Sequence, residues 1–152
     1  MEFFQVIEDK EGIEEAILRA LPSGWRREKR VSERHPALLV VSPRAATRGF
    51  PLPRQCRTAL LPGGMGGVPP QAASAVSYGV SPRDSLTISS REGDTLWAAL
   101  QRELVTVDGR VVERQEFPLA LGQGEGELTA LAAAGALLLL GVPPEKLGPS
   151  PG

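Results

Sequence analysis

The sequence predicts an α/β fold: a Rossmann-like, mostly parallel sheet with an antiparallel hairpin extension and a buried Ala/Leu-rich helix near the end of the chain. Three observations carry this. Residues 128–140 (LTALAAAGALLLL) are nearly all alanine and leucine, strong helix formers, and are apolar on almost every face. A helix of that kind belongs inside a protein rather than on its surface. Residues 37–41 (ALLVV) and 58–61 (TALL) are short continuous apolar runs, the pattern of strands buried on both faces of a parallel sheet. From residue 85 the texture changes to alternation, SLTISS over 85–90, which marks a half-exposed strand.

The apolar helix is bounded by Gly126 before it and by Gly141, Val142, Pro143 and Pro144 after it, a glycine stop followed by proline punctuation. It is shorter than the roughly 20 apolar residues that a bilayer span needs, and Glu125 and Glu127 stand at its mouth. Near the start of the chain, residues 9–21 place Ile13, Ile17 and Leu21 four apart beside Ala16 and Ala20, one apolar stripe of a helix with Asp9 as its N-cap. Pro22, Ser23 and Gly24 end it. Phe3, Phe4, Val6 and Ile7 fit either a backward extension of this helix or a short strand.

Between the two buried strands lies a segment rich in arginine (Arg44, Arg48, Arg54, Arg57) and proline, read as a loop. The second strand ends in the glycine-rich run 62–70 (PGGMGGVPP). Residues 71–74 lead into a third strand over 75–79, and Ser81-Pro-Arg-Asp84 is turn chemistry. Residues 95–102 are read as a strand between turns, although Leu96, Ala99 and Leu100 also stripe a helix. Residues 105–107, the Asp108-Gly109 turn and residues 110–117 make a hairpin. One domain over residues 1–147 follows, with 148–152 (GPSPG) a disordered tail.

Composition narrows the function. Charged residues make up 23% of the chain and the net charge is −1, so nothing attracts the chain as a whole to nucleic acid or to an anionic membrane. The basic cluster Arg26, Arg27, Lys29, Arg30 and Arg34 is diluted by Glu28 and Glu33, has only Trp25 as an aromatic, and reads as a solvated face. With one cysteine there is no internal disulfide framework. The N-terminus has acids within its first ten residues and no apolar h-region, so it is not read as a signal peptide and the expected compartment is the cytoplasm.

The candidate site residues gather around the glycine run. Gly63, Gly64, Gly66 and Gly67 can offer backbone N–H groups to a phosphate, with Arg57 and Tyr78 nearby in sequence. The spacing matches neither G-x-x-x-x-G-K-[ST] nor G-x-G-x-x-G, and the prolines remove donors, so a plain connecting loop accounts for the run as well. Cys56 lies between Arg54 and Arg57, whose charges favour a thiolate, but its one histidine partner would be His35, at an unknown distance. The alternative for Cys56 is a small packed side chain. A single histidine and a single cysteine argue against a zinc site, and no cofactor is called for.

Residues 76–84 (VSYGVSPRD) resemble the V-x-[YF]-G-x-[SP]-x-x-A/D strand and turn of the Mur ligase central domain, the ATP-binding domain of the amide-forming enzymes of peptidoglycan precursor synthesis. The segments after residue 84 keep the family's order: a Leu-Thr-Ile strand, a hairpin, and residues 116–122 (EFPLALG), similar to F-x-L-x-L-P-G. Residues 131–134 (LAAA) and 141–145 (GVPPE) are similar to its N-A-L-A-A-x-A-x-A-x-x-L-G-[IV]-x-x-E helix. Residues 60–63 (LLPG) stand where the family has a strand ending in L-N-x-D-D. The resemblance covers residues 58–147, the C-terminal half of that domain.

The departures matter as much. The family's phosphate-binding G-[TK]-x-G-K-[ST] loop is absent from the sequence, and residues 122–127 (GQGEGE) replace the His-Asn and Asn positions that it uses near its nucleotide. The length leaves no room for the UDP-binding and C-terminal ligase domains. The resemblance therefore implies the fold without the ligation chemistry. Such a half-sheet exposes an edge strand and an apolar face, and a second copy, forming a dimer, another protein, or the first helix, which is absent from the resemblance, would cover them. The two expected functions are a non-catalytic interaction or regulatory module that self-associates, and a small-molecule or nucleotide-binding protein using the glycine loop and its arginines.

Overall fold

A computed structural model describes residues 4–21, 36–67, 69–93, 95–121 and 125–149. Strands β1 (Phe4–Ile7), β2 (Leu38–Val41), β3 (Gln55–Pro62), β4 (Gln71–Gly79) and β5 (Leu86–Glu92) run parallel, and β6 (Thr95–Leu100) adds antiparallel to β5. β7 (Leu104–Val105) and β8 (Val111–Val112) pair as a separate ribbon, and β9 (Gln115–Ala120) returns to pair antiparallel with β6. The seven-stranded sheet has the order β1-β2-β3-β4-β5-β6-β9. This is the expected α/β, Rossmann-like arrangement. β4 and β5 pair only at Tyr78 with Leu86 and Gly79 with Thr87, so β5 begins where β4 ends and carries the sheet onward in the same direction.

Burial accounts for the texture of the sequence. All four residues of β2 are buried because both of its sides are covered. β4 alternates, with Ala73 and Ala75 exposed and Val76 and Tyr78 buried in the cluster that includes α3. β6 repeats the pattern with Leu96, Ala98 and Leu100 inside.

Helices α1 (Ile13–Ala20) and α3 (Glu127–Leu139) lie against each other on one face, and α3 reaches β2, β3, β4, β5 and β9. Every residue from Ala130 to Leu139 is buried, as an all-round apolar helix requires. Burying a leucine such as Leu131 or Leu138 contributes about 1.5–3 kcal/mol. Gly135 is where helix and sheet come closest: a Cβ there would stand 3.0 Å from Leu60 and 3.2 Å from Leu86. At the far end of α3, Gly141 takes a left-handed backbone (φ 99°) and the Val107 N–H donates to the Leu139 carbonyl at 2.8 Å. The ribbon of β7 and β8 thus closes the C-terminus of the helix.

The opposite face carries α2 (Pro43–Arg48). Ala45, Phe50, Leu52 and Met65 pack there on Leu39, Val41 and Ala59, in a cluster that also takes in Ile7 of β1 and Ala72 of β4.

Several expectations change. α2 replaces part of the predicted arginine-rich loop. Ser42 caps it, its hydroxyl accepting from Ala45 N–H at 3.0 Å, and Pro43 fills the first turn, where a missing N–H costs nothing. The first helix begins at Ile13 rather than Asp9, because Lys10 (φ 57°) and Gly12 (φ 82°) are left-handed and cannot continue a right-handed helix. Asp9 is not its N-cap and pairs with Arg48 instead. Residues 4–7 resolve as strand β1. The strand predicted over 110–117 divides at Glu113 and Arg114, its first part closing the ribbon and its second joining the main sheet. Among the described residues, no helix is long and apolar enough to cross a membrane. The basic cluster at residues 26–34, Trp25, His35, residues 122–124 and the end of the tail, 150–152, lie outside the described residues.

Candidate functional site: the carboxyl edge of the parallel strands

In an open α/β sheet, ligands bind beyond the carboxyl ends of the strands, where loops turn and helix N-termini point. Here the loop after β1 is Glu8-Asp-Lys-Glu-Gly12. The Glu8 carboxylate accepts the N–H groups of Ile13 (2.8 Å) and Glu14 (3.0 Å), the first donors of α1. The Glu11 carboxylate accepts from Asp9 N–H (3.1 Å), from Arg44 N–H (3.2 Å) at the start of α2, and from the Ser42 hydroxyl. Both helix starts are therefore occupied by side-chain anions of the chain itself. Thr129 of α3 donates to the Glu11 carbonyl at 3.4 Å, tying the same loop to the long helix.

Tyr78 stands in this floor. It is 1% exposed and its hydroxyl donates to the Val41 carbonyl at 2.6 Å. Burial pushes its phenol well above the ordinary tyrosine range, and the nearby charges of Glu11 and Glu8 push the same way. The hydroxyl thus holds β4 to β2 rather than being offered to a ligand.

Beside it, beyond the ends of β3 and β4, lies a cleft of about 590 Å³. Gly63, Gly64 and Gly66 line it, together with Thr47, Arg83, Asp84 and Leu128. Gly67 lies in a neighbouring groove of about 650 Å³ with Phe50, Leu52 and Met65. Asp84 is 4% exposed. Its carboxylate accepts Ser81 N–H at 3.0 Å and wedges between the two strand ends. A Cβ on Gly63 would stand 2.0 Å from Asp84 Oδ1, and one on Gly79 would stand 2.5 Å from Asp84 Oδ2. Neither glycine has a left-handed backbone, so the buried carboxylate is what requires a hydrogen at both positions.

The structure brings Gly63, Gly64 and Gly66 to one cleft, with the ring of Tyr78 in its wall. It does not bring Arg57 there. Arg57 sits six positions before Gly63 on β3, about 20 Å away along an extended strand, and its guanidinium donates to the Val107 carbonyl at 3.3 Å. The intervening residues form the strand that the sequence predicts over 58–61, and its extended length is what separates Arg57 from the glycines.

Cys56 is buried, and burial pushes its thiol up, the opposite of the activation expected from its arginine neighbours. Arg83, Asp84, Thr47, Glu8 and Glu11 were not singled out from the sequence. The turn formed by residues 81–84 was legible, but the burial of its aspartate depends on two glycines from different strands. Among the described residues, no three His, Cys, Asp or Glu side chains gather to hold a metal ion. Of the acidic segment before α3, Glu125 pairs with Arg19 at 3.5 Å and Glu127 pairs with Arg91.

Fold and cleft together define a Rossmann-like α/β protein in which the starts of α1 and α2 are held by its own carboxylates, while the start of α3 has no side-chain cap among the described residues. No family model matches the chain, and no curated protein matches it.

Proposed function

We propose that this chain is a non-catalytic relative of the Mur ligases, acting in the cytoplasm as an interaction or regulatory module that associates with itself. The observation that supports this reading is the pair of carboxylates, Glu8 and Glu11, on the first donors of α1 and α2. An α/β protein that handles nucleotides leaves such donors to phosphate oxygens. With a glutamate already hydrogen-bonded there, an incoming phosphate would have to displace one anion and would be repelled by the other. On this reading the resembling residues 58–147 keep a scaffold, and the helix starts that precede them are filled by the chain's own carboxylates.

A thermal-shift titration tests this. A ligand that binds the folded state raises its melting temperature by mass action. Mg-ATP, ADP and UDP-N-acetylglucosamine, each taken to millimolar concentration, are expected to leave it unchanged. A saturable rise with any of them overturns the reading.

The cleft at Gly63, Gly64 and Gly66 favours a second reading, a small-molecule binder. Its Arg83 and open glycine backbone offer donors and Thr47 a hydroxyl, a mixture suited to a small polar ligand. Substituting Gly64, whose left-handed backbone (φ 74°) shapes the mouth, would then lower that ligand's affinity.

A further inference from the structure

We propose that the cleft beyond the ends of β3 and β4 binds a small monocarboxylate carrying an apolar body. The inference rests on the small-molecule reading of that cleft above and names the class of its ligand. The cleft holds about 590 Å³, within the range of small-molecule sites. The polar groups it offers are mainly donors. Arg83 is exposed, and among the described residues no carboxylate pairs with it. Thr47 adds an exposed hydroxyl. The Ser81 hydroxyl accepts Arg83 N–H at 3.1 Å and keeps its own hydrogen to give. Gly64 and Gly66 carry backbone N–H groups that no described residue accepts. Asp84 also lines the cleft, but its carboxylate is engaged by Ser81 N–H and packed against Gly63 and Gly79. Such a surplus of donors selects a ligand rich in acceptors.

The guanidinium of Arg83 sets the charge. It is a planar fork that pairs with a carboxylate through two parallel N–H bonds, so one fork matches one carboxylate. The carboxylate of Asp84 in the same wall raises the cost of each further negative charge, which disfavours a dianionic phosphate. Phosphate also lacks its usual seat, because Glu8 and Glu11 already hold the first donors of α1 and α2. The apolar lining sets the body. Among the described residues, the exposed large hydrophobic side chains are Val80, Val105, Val111 and Leu128. Val80, at 78% exposure, and Leu128, at 36%, both line this cleft, beside the half-buried Met65. A ligand that covers them removes apolar surface from water. The turn that carries Arg83 is held in advance. Asp84 N–H donates to the Ser81 carbonyl at 3.0 Å, and the Gln101 amide donates to the carbonyls of Pro82 (3.1 Å) and Asp84 (2.7 Å). Little ordering of that turn is left for binding.

Amide NMR titrations test this with probes that share one phenylalkyl body: 3-phenylpropionate, 3-phenylpropanamide, 3-phenylpropylamine and 2-phenylethyl phosphate. The acid is expected to bind with about millimolar affinity, as its size allows, and to shift Gly64, Gly66, Val80 and Leu128. The amide, the amine and the phosphate are expected to bind at least about tenfold more weakly. Acetate, which keeps the carboxylate and lacks the body, is expected to do the same. Arg83→Gln is expected to weaken the acid about tenfold with an unchanged circular dichroism spectrum. Arg114→Gln, at an exposed position outside the cleft, is expected to leave the affinity as it is. An amide, amine or phosphate that binds the cleft as tightly as the acid overturns the carboxylate class. So does an affinity unmoved by Arg83→Gln, and either result leaves the small-molecule reading standing. No saturable shift at the cleft from any of the probes overturns both.

Discussion

The carboxyl edge of the sheet has two halves that solve the same problem differently. Beyond β1 and β2, the first donors of the helices are taken: Glu8 holds the start of α1, and Glu11 holds Ser42 and the start of α2. Beyond β3 and β4, glycines leave open space, and the buried group is a single carboxylate, Asp84, pressed against Gly63 and Gly79. One half is closed by hydrogen bonds and the other is shaped by steric fit. The difference teaches where this chain tolerates change. In the first half, losing a side chain leaves donors unpaired. In the second, adding a single methyl group collides with a charge that has nowhere to move.

The largest effect is therefore expected in the glycine half. Gly63→Ala places a Cβ 2.0 Å from Asp84 Oδ1, so the buried carboxylate or the strand end must shift, at a cost of about 2–3 kcal/mol. Gly79→Ala is expected to cost less, since its closest approach is 2.5 Å. The comparison sharpens in a double-mutant cycle measured by urea denaturation. Asp84→Ala on its own frees Ser81 N–H and destabilises, but combined with Gly63→Ala it removes the clash, so the two costs sum to less than additive. Strict additivity would mean that the glycine is required for some other reason.

The carboxylate half should respond more gently, through lost hydrogen bonds rather than collisions. Glu11→Ala leaves the N–H of Arg44 and the hydroxyl of Ser42 without their acceptor and is expected to lower stability by about 1–2 kcal/mol. Glu8→Ala uncaps α1 and is expected to cost about 1 kcal/mol. Removing both anions frees the donors at both helix starts. The double variant should then gain thermal stability from millimolar inorganic phosphate, which leaves wild type unaffected. If phosphate stabilises both equally, the carboxylates are not occupying an anion position and the contrast between the halves fails.

These differences bear on what a sequence can disclose. The apolar helix 128–140 and the buried strand at 37–41 were legible because their burial is written in composition: nothing polar interrupts them. α2 was equally legible in principle, through Ser42 and Pro43 as cap and first turn, but the arginines around it drew the reading toward a loop. The acid-rich loop after β1 gave no such sign. Its glutamates look like ordinary surface residues until Lys10 and Gly12 turn the backbone and aim them at two helices far apart in sequence. Asp84 was hidden for the same reason, since its neighbours Gly63 and Gly79 come from different strands. Local pattern fixes elements, and the site arises where elements from distant parts of the chain converge.

The smallest effect separates the floor shared by both halves. Tyr78→Phe deletes the hydroxyl donated to the Val41 carbonyl and is expected to cost about 1 kcal/mol at neutral pH, with the ring still packed. The same phenol sets an alkaline limit. Its folded-state value lies above the ordinary 10.0, and that of the Cys56 thiol lies above 9.0, so both groups resist ionising when folded. Groups raised in this way contribute stability that is fully present below the unfolded values and is lost as pH rises past them. Stability from these two groups is therefore constant through neutral pH, begins to fall above about pH 9 as unfolded Cys56 ionises, and falls faster above about pH 10, where Tyr78 joins. Tyr78→Phe removes the second, steeper part and leaves the first. Chemical denaturation of both proteins between pH 7 and 11 reads this directly. Parallel curves above pH 10 would show that the buried phenol is not what limits the fold in alkali.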